Sequence, residues 1–332
     1  MKTPIIKNNQ NLSGFLCCHK LLAYCLIPIK LGICSVFFAI NLIIVFLYNK
    51  GIISYDICYT IFKLNMDIII TCFGLTVKII KDKEYEAYKK LSKDKSNKYL
   101  IAFTHRNFCD LFALLTILQE KITAIGFKEL LGKFPISYLS NFFNLCLIER
   151  NKPSGTVKKI LEHYEQNTNK ICIAPDGSYT NMNEEEKKQE MEKLNIPYEP
   201  KVGYFKSGAF VNKTPILPIV LSSVGSTIYD TDWNDSKNTN SLTSLKKLLI
   251  DGNVELHMKF LELQKFDEEK HKNYQGYRDD VREKMVKEHY KLPKPTVSNL
   301  ENIQQNSEDC INFDVAAFGS ATIISYLLKR WD

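Results

Sequence analysis

The sequence predicts an α/β fold, with a largely parallel sheet flanked by helices and an N-terminal membrane-anchoring helical segment. The sheet is predicted because short apolar runs alternate with longer mixed stretches, a pattern typical of strands joined by helices. The predicted strands are residues 99–104, 123–127, 146–149, 171–174, 216–222 and 254–261. The last strand alternates apolar and polar residues, so we expect His257 on its polar side, at a solvent-facing edge.

The anchor is predicted from residues 31–48, LGICSVFFAINLIIVFLY, which carry no charge. Only Lys30 separates them from a second uncharged run, residues 21–29. Such a run is long enough for a membrane-spanning helix. A cleaved signal peptide is the alternative, but the run is too long for one and no small-residue cleavage site follows. Runs 52–64 and 68–77 are shorter, and together they indicate a helix that lies on the membrane or packs under the domain.

Changes in composition divide the chain into regions. The predicted regions are a membrane-anchoring helical region at 1–80, a central α/β domain at 81–290, a linker at 291–310 and a C-terminal apolar segment at 311–332. The uncharged part of the last region is too short to span a membrane, so core and interfacial helix both stay open. Inside the domain, the charged residues 181–201 predict a solvated loop or short helix.

Charge and cysteine usage narrow the class of protein. The net charge of +7 predicts attraction to anions, without choosing among anionic lipid, polyphosphate-bearing cofactors and nucleic acid. The ten cysteines form no C-x-x-C, and most lie in apolar runs. We therefore expect buried free thiols in a reducing compartment, and no metal site.

The stretch IAFTHRNFCDLFALL, residues 101–115, runs from a predicted strand into His105, with Asp110 five positions later. If a helix begins just after the strand, Asp110 lies in its first turn, where a carboxylate is favoured. From there it reaches one imidazole nitrogen, which sets the tautomer and leaves the other nitrogen as a base. Because no protein nucleophile accompanies this pair, it suits a reaction whose nucleophile is a substrate hydroxyl.

Cys109 lies between these two residues and is the alternative nucleophile, which would make the protein a thioesterase or a ping-pong transferase. Adjacent helix residues point in different directions, so Cys109 should face away from His105 if Asp110 faces it. A serine hydrolase is disfavoured because the chain has no G-x-S-x-G. The spacing of Gly126 and Gly132 does not fit a P-loop.

Four blocks follow one another in the chain: FTHRNFCD, LCLIERNKPSG, IAPDGSYTN and FKSGAFVNKTPILPIVL. Their order and separation resemble the four sequence blocks of the glycerolipid acyltransferases, over about residues 98–222. Enzymes of this family acylate glycerol 3-phosphate, lysophosphatidic acid and other lysophospholipids from acyl-CoA. PDGSYTN and FKSGAF look closer to the lysophosphatidylcholine and microsomal glycerol-3-phosphate acyltransferase branch.

The resemblance implies roles for residues of the first two blocks. His105 would be the general base for the acceptor hydroxyl, and Asp110 would orient it. Arg150 would bind the phosphate of the acceptor, since a guanidinium offers a fork of donors to phosphate oxygens. Lys128, before the second block, would assist with phosphate or be a surface lysine. Thr104 replaces a common Asn or Pro before the histidine.

The third and fourth blocks would complete the substrate site. The family usually has Pro-Glu-Gly-Thr where this chain has Pro175 followed by Asp176, Gly177 and Ser178. The glycine permits a tight turn with exposed backbone N–H groups. Pro218 in the fourth block would shape the floor near the acyl chain. An arginine that follows the third block in many members is absent here, and Asp176 is one methylene shorter than the usual Glu.

The resemblance thus implies a membrane-bound O-acyltransferase with acyl-CoA as co-substrate and no cofactor or metal. Its expected partners are acyl-CoA, a lysophospholipid or glycerol phosphate acceptor and the lipid bilayer, and no nucleic acid is expected. In a eukaryotic cell the endoplasmic reticulum membrane is the expected location, with the catalytic domain facing the cytosol. The alternative is a catalytically impaired lipid-binding or scaffold protein of the same fold, which the altered third block favours and the intact His105 and Asp110 disfavour.

Overall fold

A computed structural model describes much of the chain. The described residues are 10–105, 109–127, 142, 145–148, 153–166, 169–176, 184–195, 202–224, 249 and 254–293, with side chains in the first helix described from Cys25 onward. Residues 294–310 of the predicted linker and the whole predicted C-terminal segment 311–332 lie outside them.

Helices and strands alternate through most of these residues. The helices are α1 Gln10–Asn49, α2 Tyr55–Cys72, α3 Lys83–Lys93, α4 Asp110–Ile117, α5 Pro153–Gln166, α6 Glu184–Leu194, α7 Glu268–His271 and α8 Tyr274–Lys291. The strands are β1 Leu75–Ile79, β2 Leu100–Phe103, β3 Ile122–Phe127, β4 Cys146–Ile148, β5 Lys170–Ile173, β6 Ile216–Val224 and β7 Val254–Phe260. A 3-10 turn at Ser207–Ala209 precedes β6.

The strands form one sheet in the order β1-β7-β6-β2-β5-β3-β4. The five strands from β6 to β4 are parallel to one another. Strand β7 is antiparallel to β6, and β1 is parallel to β7, so these two run against the rest. The mostly parallel sheet flanked by helices confirms the predicted fold class, and each predicted strand is found within about one or two residues of its expected bounds, the usual uncertainty of element ends.

Strand β1 differs from the prediction, which treated run 68–77 as part of a helix. The helix α2 ends at Cys72, and Leu75–Ile79 pairs with β7. Residues 1–80 are therefore not helical throughout, contrary to the prediction. Their last residues form a strand because they are stabilised by pairing with β7 in the sheet. The predicted edge position of His257 is also wrong, because β7 lies inside the sheet, between β1 and β6. The predicted alternation of buried residues along β7 is confirmed.

Each face of the sheet carries a hydrophobic core. On one face, apolar residues of α1, α2 and α4 form a core with Ile101 and Phe103 of β2 and with Leu217, Ile219 and Leu221 of β6. On the other face, Tyr277, Val281 and other apolar residues of α8 form a core with Leu100 and Ala102 of β2 and with Ile216 and Val220 of β6. Since strand residues alternate between the two faces, every second residue of β2 points toward the α4 side.

The N-terminal helices form an antiparallel pair whose outer face is apolar. Among the described residues, one segment, Cys25–Asn49 of α1, is long and apolar enough to cross a membrane by length and composition. Helix α2 packs against both α1 and α4, as expected of a helix under the domain. Large apolar side chains remain exposed on this pair: Ile29, Leu31, Ile33, Val36, Phe38, Ile43, Phe46, Ile57 and Leu64.

Candidate active site

The carboxyl ends of the five parallel strands meet at one edge of the sheet, where ligands bind in open α/β folds. His105 follows β2 by two residues and Asp176 follows β5 by three, and these strands are neighbours. Both residues therefore lie at this edge. The other predicted residues of this edge lie outside the described residues: Lys128, Arg150, Gly177 and Ser178.

His105 and Asp110 form the pair that their spacing predicts. Asp110 is the first residue of α4, and its Oδ2 lies 3.1 Å from Nδ1 of His105. The carboxylate is fully buried, whereas 30% of the imidazole is exposed. Because an ionised carboxylate only accepts hydrogen bonds, Nδ1 donates its hydrogen and the lone pair is on Nε2. The ring is thus held in the tautomer that a general base requires, with one side open to solvent.

The two residues before His105 tie this part of the chain to its surroundings. The ring of Phe103 meets it edge-on, with centroids 6.2 Å apart. Thr104 is fully buried, its N–H donates to the carbonyl of Ile219, and its hydroxyl bonds with the backbone of Leu221. These contacts extend the pairing of β2 with β6 up to the residue before His105. The sequence alone marks Thr104 only as a departure from the family pattern, because the partner of its hydroxyl is on a strand more than 100 positions away.

The third block lies beside the segment that leads to the fourth. Pro175 accepts a 2.8 Å hydrogen bond from the N–H of Lys206, and Asp176 is fully buried. The resemblance places Asp176 among the substrate-binding residues, and its buried carboxylate lies three residues past β5, at the carboxyl edge.

Pro218 lies away from this edge. It pairs with Ala102, three residues before His105, and its carbonyl accepts from Leu261. Ile216 and Val220, two positions to either side of it in β6, belong to the core on the α8 face. Alternation along the strand puts Pro218 on that face too, opposite Phe103, so the structure does not bring it to the imidazole.

Cys109 precedes Asp110 directly and is fully buried. Burial raises the pKa of its thiol well above the ordinary value, so the thiolate needed for nucleophilic attack is not formed near neutral pH. This favours the structural interpretation of Cys109 over the nucleophile. In the described part of the chain, no three His, Cys, Asp or Glu side chains are grouped as metal ligands.

Comparison with known proteins identifies the class. Residues 82–222 match the family model described as Acyltransferase, which supports the resemblance of these residues to the glycerolipid acyltransferase family. The structure is similar to the crystal structure of the 1-acyl-sn-glycerophosphate (LPA) acyltransferase PlsC from Thermotoga maritima. That match has a TM-score of 0.43 and 13% identity over 79% of this chain and 96% of the other. A comparison with curated protein sequences found no significant match.

Proposed function

We propose that the protein is a membrane-bound enzyme that transfers a fatty acyl group from acyl-CoA to the free hydroxyl of a lysophospholipid or glycerol phosphate. The observation that carries this proposal is the His105–Asp110 contact at the carboxyl edge of the sheet, inside an acyltransferase domain. The domain supports acyl transfer in general; the donor, the acceptor and the residue roles are the proposal.

In the proposed reaction, Nε2 of His105 accepts the proton of the acceptor hydroxyl as that oxygen attacks the thioester carbonyl. The tetrahedral intermediate collapses, the carbon–sulfur bond breaks, and the imidazolium returns the proton to the CoA thiolate. Asp110 stabilises the imidazolium that forms between these steps. Both substrates react directly, so no acyl-enzyme is formed and no cofactor or metal takes part.

Positive groups would hold the phosphates of the substrates. Arg150 follows β4 by two positions in the sequence and Lys128 follows β3 by one. Residues at such positions converge at the carboxyl edge of parallel strands. We propose Arg150 as the ligand of the acceptor phosphate, with Lys128 in support. Gly177 and Ser178 would offer backbone N–H groups and a hydroxyl to the same phosphate.

The direction of α1 supports a membrane at this same edge. Strand β1 runs against β6, so its start, and the end of α2 before it, lie at the carboxyl edge. Cys72 at the end of α2 lies close to Cys34 of α1, in the same core. Residues of α1 before Cys34 therefore continue past this edge, and Lys30 donates from there to Leu249, in the connection between β6 and β7.

The exposed apolar side chains of α1 just before Cys34, Ile29, Leu31 and Ile33, would then enter the bilayer on the side where His105 is exposed. A lysophospholipid could reach the imidazole, and the two-tailed product could leave, without crossing water. In a eukaryotic cell we propose the endoplasmic reticulum membrane, with the domain on the reducing, cytosolic side, which suits a chain with ten cysteines and no disulfide pattern.

The test is an assay of the full chain in detergent micelles, with radiolabelled acyl-CoA and a panel of lysophospholipids and glycerol 3-phosphate. The wild type should acylate at least one acceptor, and His105→Ala should reduce the rate by roughly 10²–10⁴-fold. Cys109→Ala is the matched control and should retain activity, since its thiol is protonated and buried. A Cys109→Ala variant as inactive as His105→Ala would overturn the direct-transfer mechanism.

The second candidate is a lipid-binding or scaffold protein that retains the fold. The observation in its favour is the third block, where Asp176 and Ser178 replace the usual Glu and Thr. Wild-type protein that binds lysophospholipid vesicles but transfers no acyl group to any acceptor would favour it.

A further inference from the structure

A buried arginine on α8 binds the segment that precedes the fourth block. The Nε of Arg282 donates to the carbonyl of Gly203 at 2.7 Å, and Nη2 donates to the carbonyl of Val202 at 2.7 Å. The same guanidinium forms a two-pronged ion pair with Glu190 of α6, in which Nη2 lies 2.7 Å from Oε2. One side chain thus connects three separate parts of the chain.

This cluster is nearly closed to water. The side chain of Arg282 is 8% exposed and that of Glu190 is 11% exposed. The ring of Tyr204 lies against the guanidinium, 4.9 Å from Cζ to the ring centroid. A buried charge that loses its partner is strongly destabilising, so both ends of the pair depend on each other. The planar fork also fixes the direction of its partners, which a lysine does not do.

The segment held by Arg282 contacts the third block. Val202 and Phe205 are buried and belong, with Ile171 of β5, to the core on the α8 face. One residue later, the N–H of Lys206 donates to the carbonyl of Pro175 at 2.8 Å. Asp176 follows immediately. The path from the guanidinium to the third block therefore consists of two backbone carbonyls, a short buried segment and one backbone hydrogen bond.

We propose that Arg282 is a positioning residue for the third block. By holding Val202 and Gly203 it fixes Lys206, which in turn fixes Pro175 and, with it, the neighbouring Asp176. This inference rests on the proposed function, in which the third block contacts the acceptor. Helix α6, in the stretch predicted to be a solvated loop or short helix, also has a role in this proposal. Its Glu190 neutralises and orients the guanidinium.

Hydrogen exchange tests the structural link without any assay of activity. In Arg282→Met, the amide of Lys206 should exchange at least about tenfold faster than in the wild type, because the bond to Pro175 opens more often. Arg282→Lys should give a smaller increase, since it keeps the charge without the fork, and Glu190→Gln should also increase the exchange, since it leaves the guanidinium buried without its counter-charge. Lys287→Met, on the exposed side of the same helix where Lys287 pairs with Glu283, is the control and should leave this amide unchanged.

Kinetics test the consequence. Arg282→Met should raise the KM for the acceptor roughly 10- to 100-fold, the effect of a small displacement of binding groups, while the KM for acyl-CoA changes less than about twofold. Arg282→Lys should recover part of the loss. Unchanged exchange at Lys206, or an equal loss for both substrates that tracks a lower Tm, would overturn the proposal. If the wild type transfers no acyl group, the proposed function fails, and exchange at Lys206 still decides whether Arg282 positions the third block.

Discussion

The hydroxyl of Thr104 bonds with both backbone groups of Leu221. It accepts from the N–H of Leu221 at 2.8 Å and donates to the carbonyl of the same residue at 3.4 Å. These bonds join the end of β2 to β6 at the residue before His105. The hydroxyl of Thr104 thus supplies the hydrogen bonds to β6 that backbone groups of a longer β2 would otherwise make.

Thr104→Val removes the hydroxyl at nearly constant shape and leaves two backbone groups of Leu221 buried without this partner. We expect a loss of about 1–3 kcal/mol in the free energy of unfolding, and a lower kcat because the imidazole is less well held. Thr104→Ser keeps the hydroxyl and should retain both. Thermal unfolding and acyl transfer of the two variants check this, and equal behaviour of the valine and serine variants would contradict it.

Asp110→Asn tests the orientation of the imidazole. The amide has nearly the shape of the carboxylate but lacks the charge that stabilises the imidazolium, so kcat should fall about 10²–10⁴-fold with little change in KM. Asp56→Asn is a suitable control, because Asp56 is exposed at the start of α2 and pairs with Lys121. Steady-state kinetics in micelles give both constants. An Asp110→Asn variant with the wild-type kcat would remove the pair from the mechanism.

Asn41 of α1 accepts a 2.7 Å hydrogen bond from Nδ2 of Asn65 of α2, and both residues are buried. Asn41→Leu alone leaves Asn65 without this partner and should cost about 1–3 kcal/mol in unfolding free energy, whereas replacing both by leucine should cost much less. Thermal unfolding in detergent of the two single variants and the double variant measures this coupling. The exposed Asn49→Leu is the control; a double variant as unstable as the sum of the singles would show that the pair contributes nothing.

Stability at high pH should depend on buried phenols at the amino edge of the sheet. Tyr88 and Tyr99 both donate to Glu120, and burial, followed by the charge of Glu120, raises the pKa of each phenol well above its ordinary value. A raised pKa means that the neutral phenol stabilises the folded state. That contribution is complete below about pH 10, the pKa of an unfolded tyrosine, and is lost as the pH rises further.

The free energy of unfolding should therefore decrease above about pH 10, by at most about 1.4 kcal/mol per pH unit for Tyr88. Tyr88→Phe should make this decrease shallower, although it lowers stability at neutral pH. Denaturant titrations between about pH 8 and 11 measure the slope, and identical slopes for Tyr88→Phe and the wild type would refute the assignment.

Local sequence patterns predicted the strands, the apolar helix and the His105–Asp110 pair. Each depends on residues close in sequence: alternation along a strand, length of an apolar run, or five residues across one strand–helix turn. The same local view led to the errors at β1 and β7. An apolar run of ten residues fits a helix or a strand equally, and only its pairing with a strand about 180 positions later decides between them.

The sequence by itself determined the class of fold, the acyltransferase blocks and the identity of the proposed base and its carboxylate. The tertiary structure alone decided which distant groups hold that site. Leu221 is 117 positions from Thr104, and Arg282 is 92 positions from Glu190. No local periodicity encodes such contacts, because they arise only when the order of strands in the sheet and the packing of helices on its faces bring these segments together.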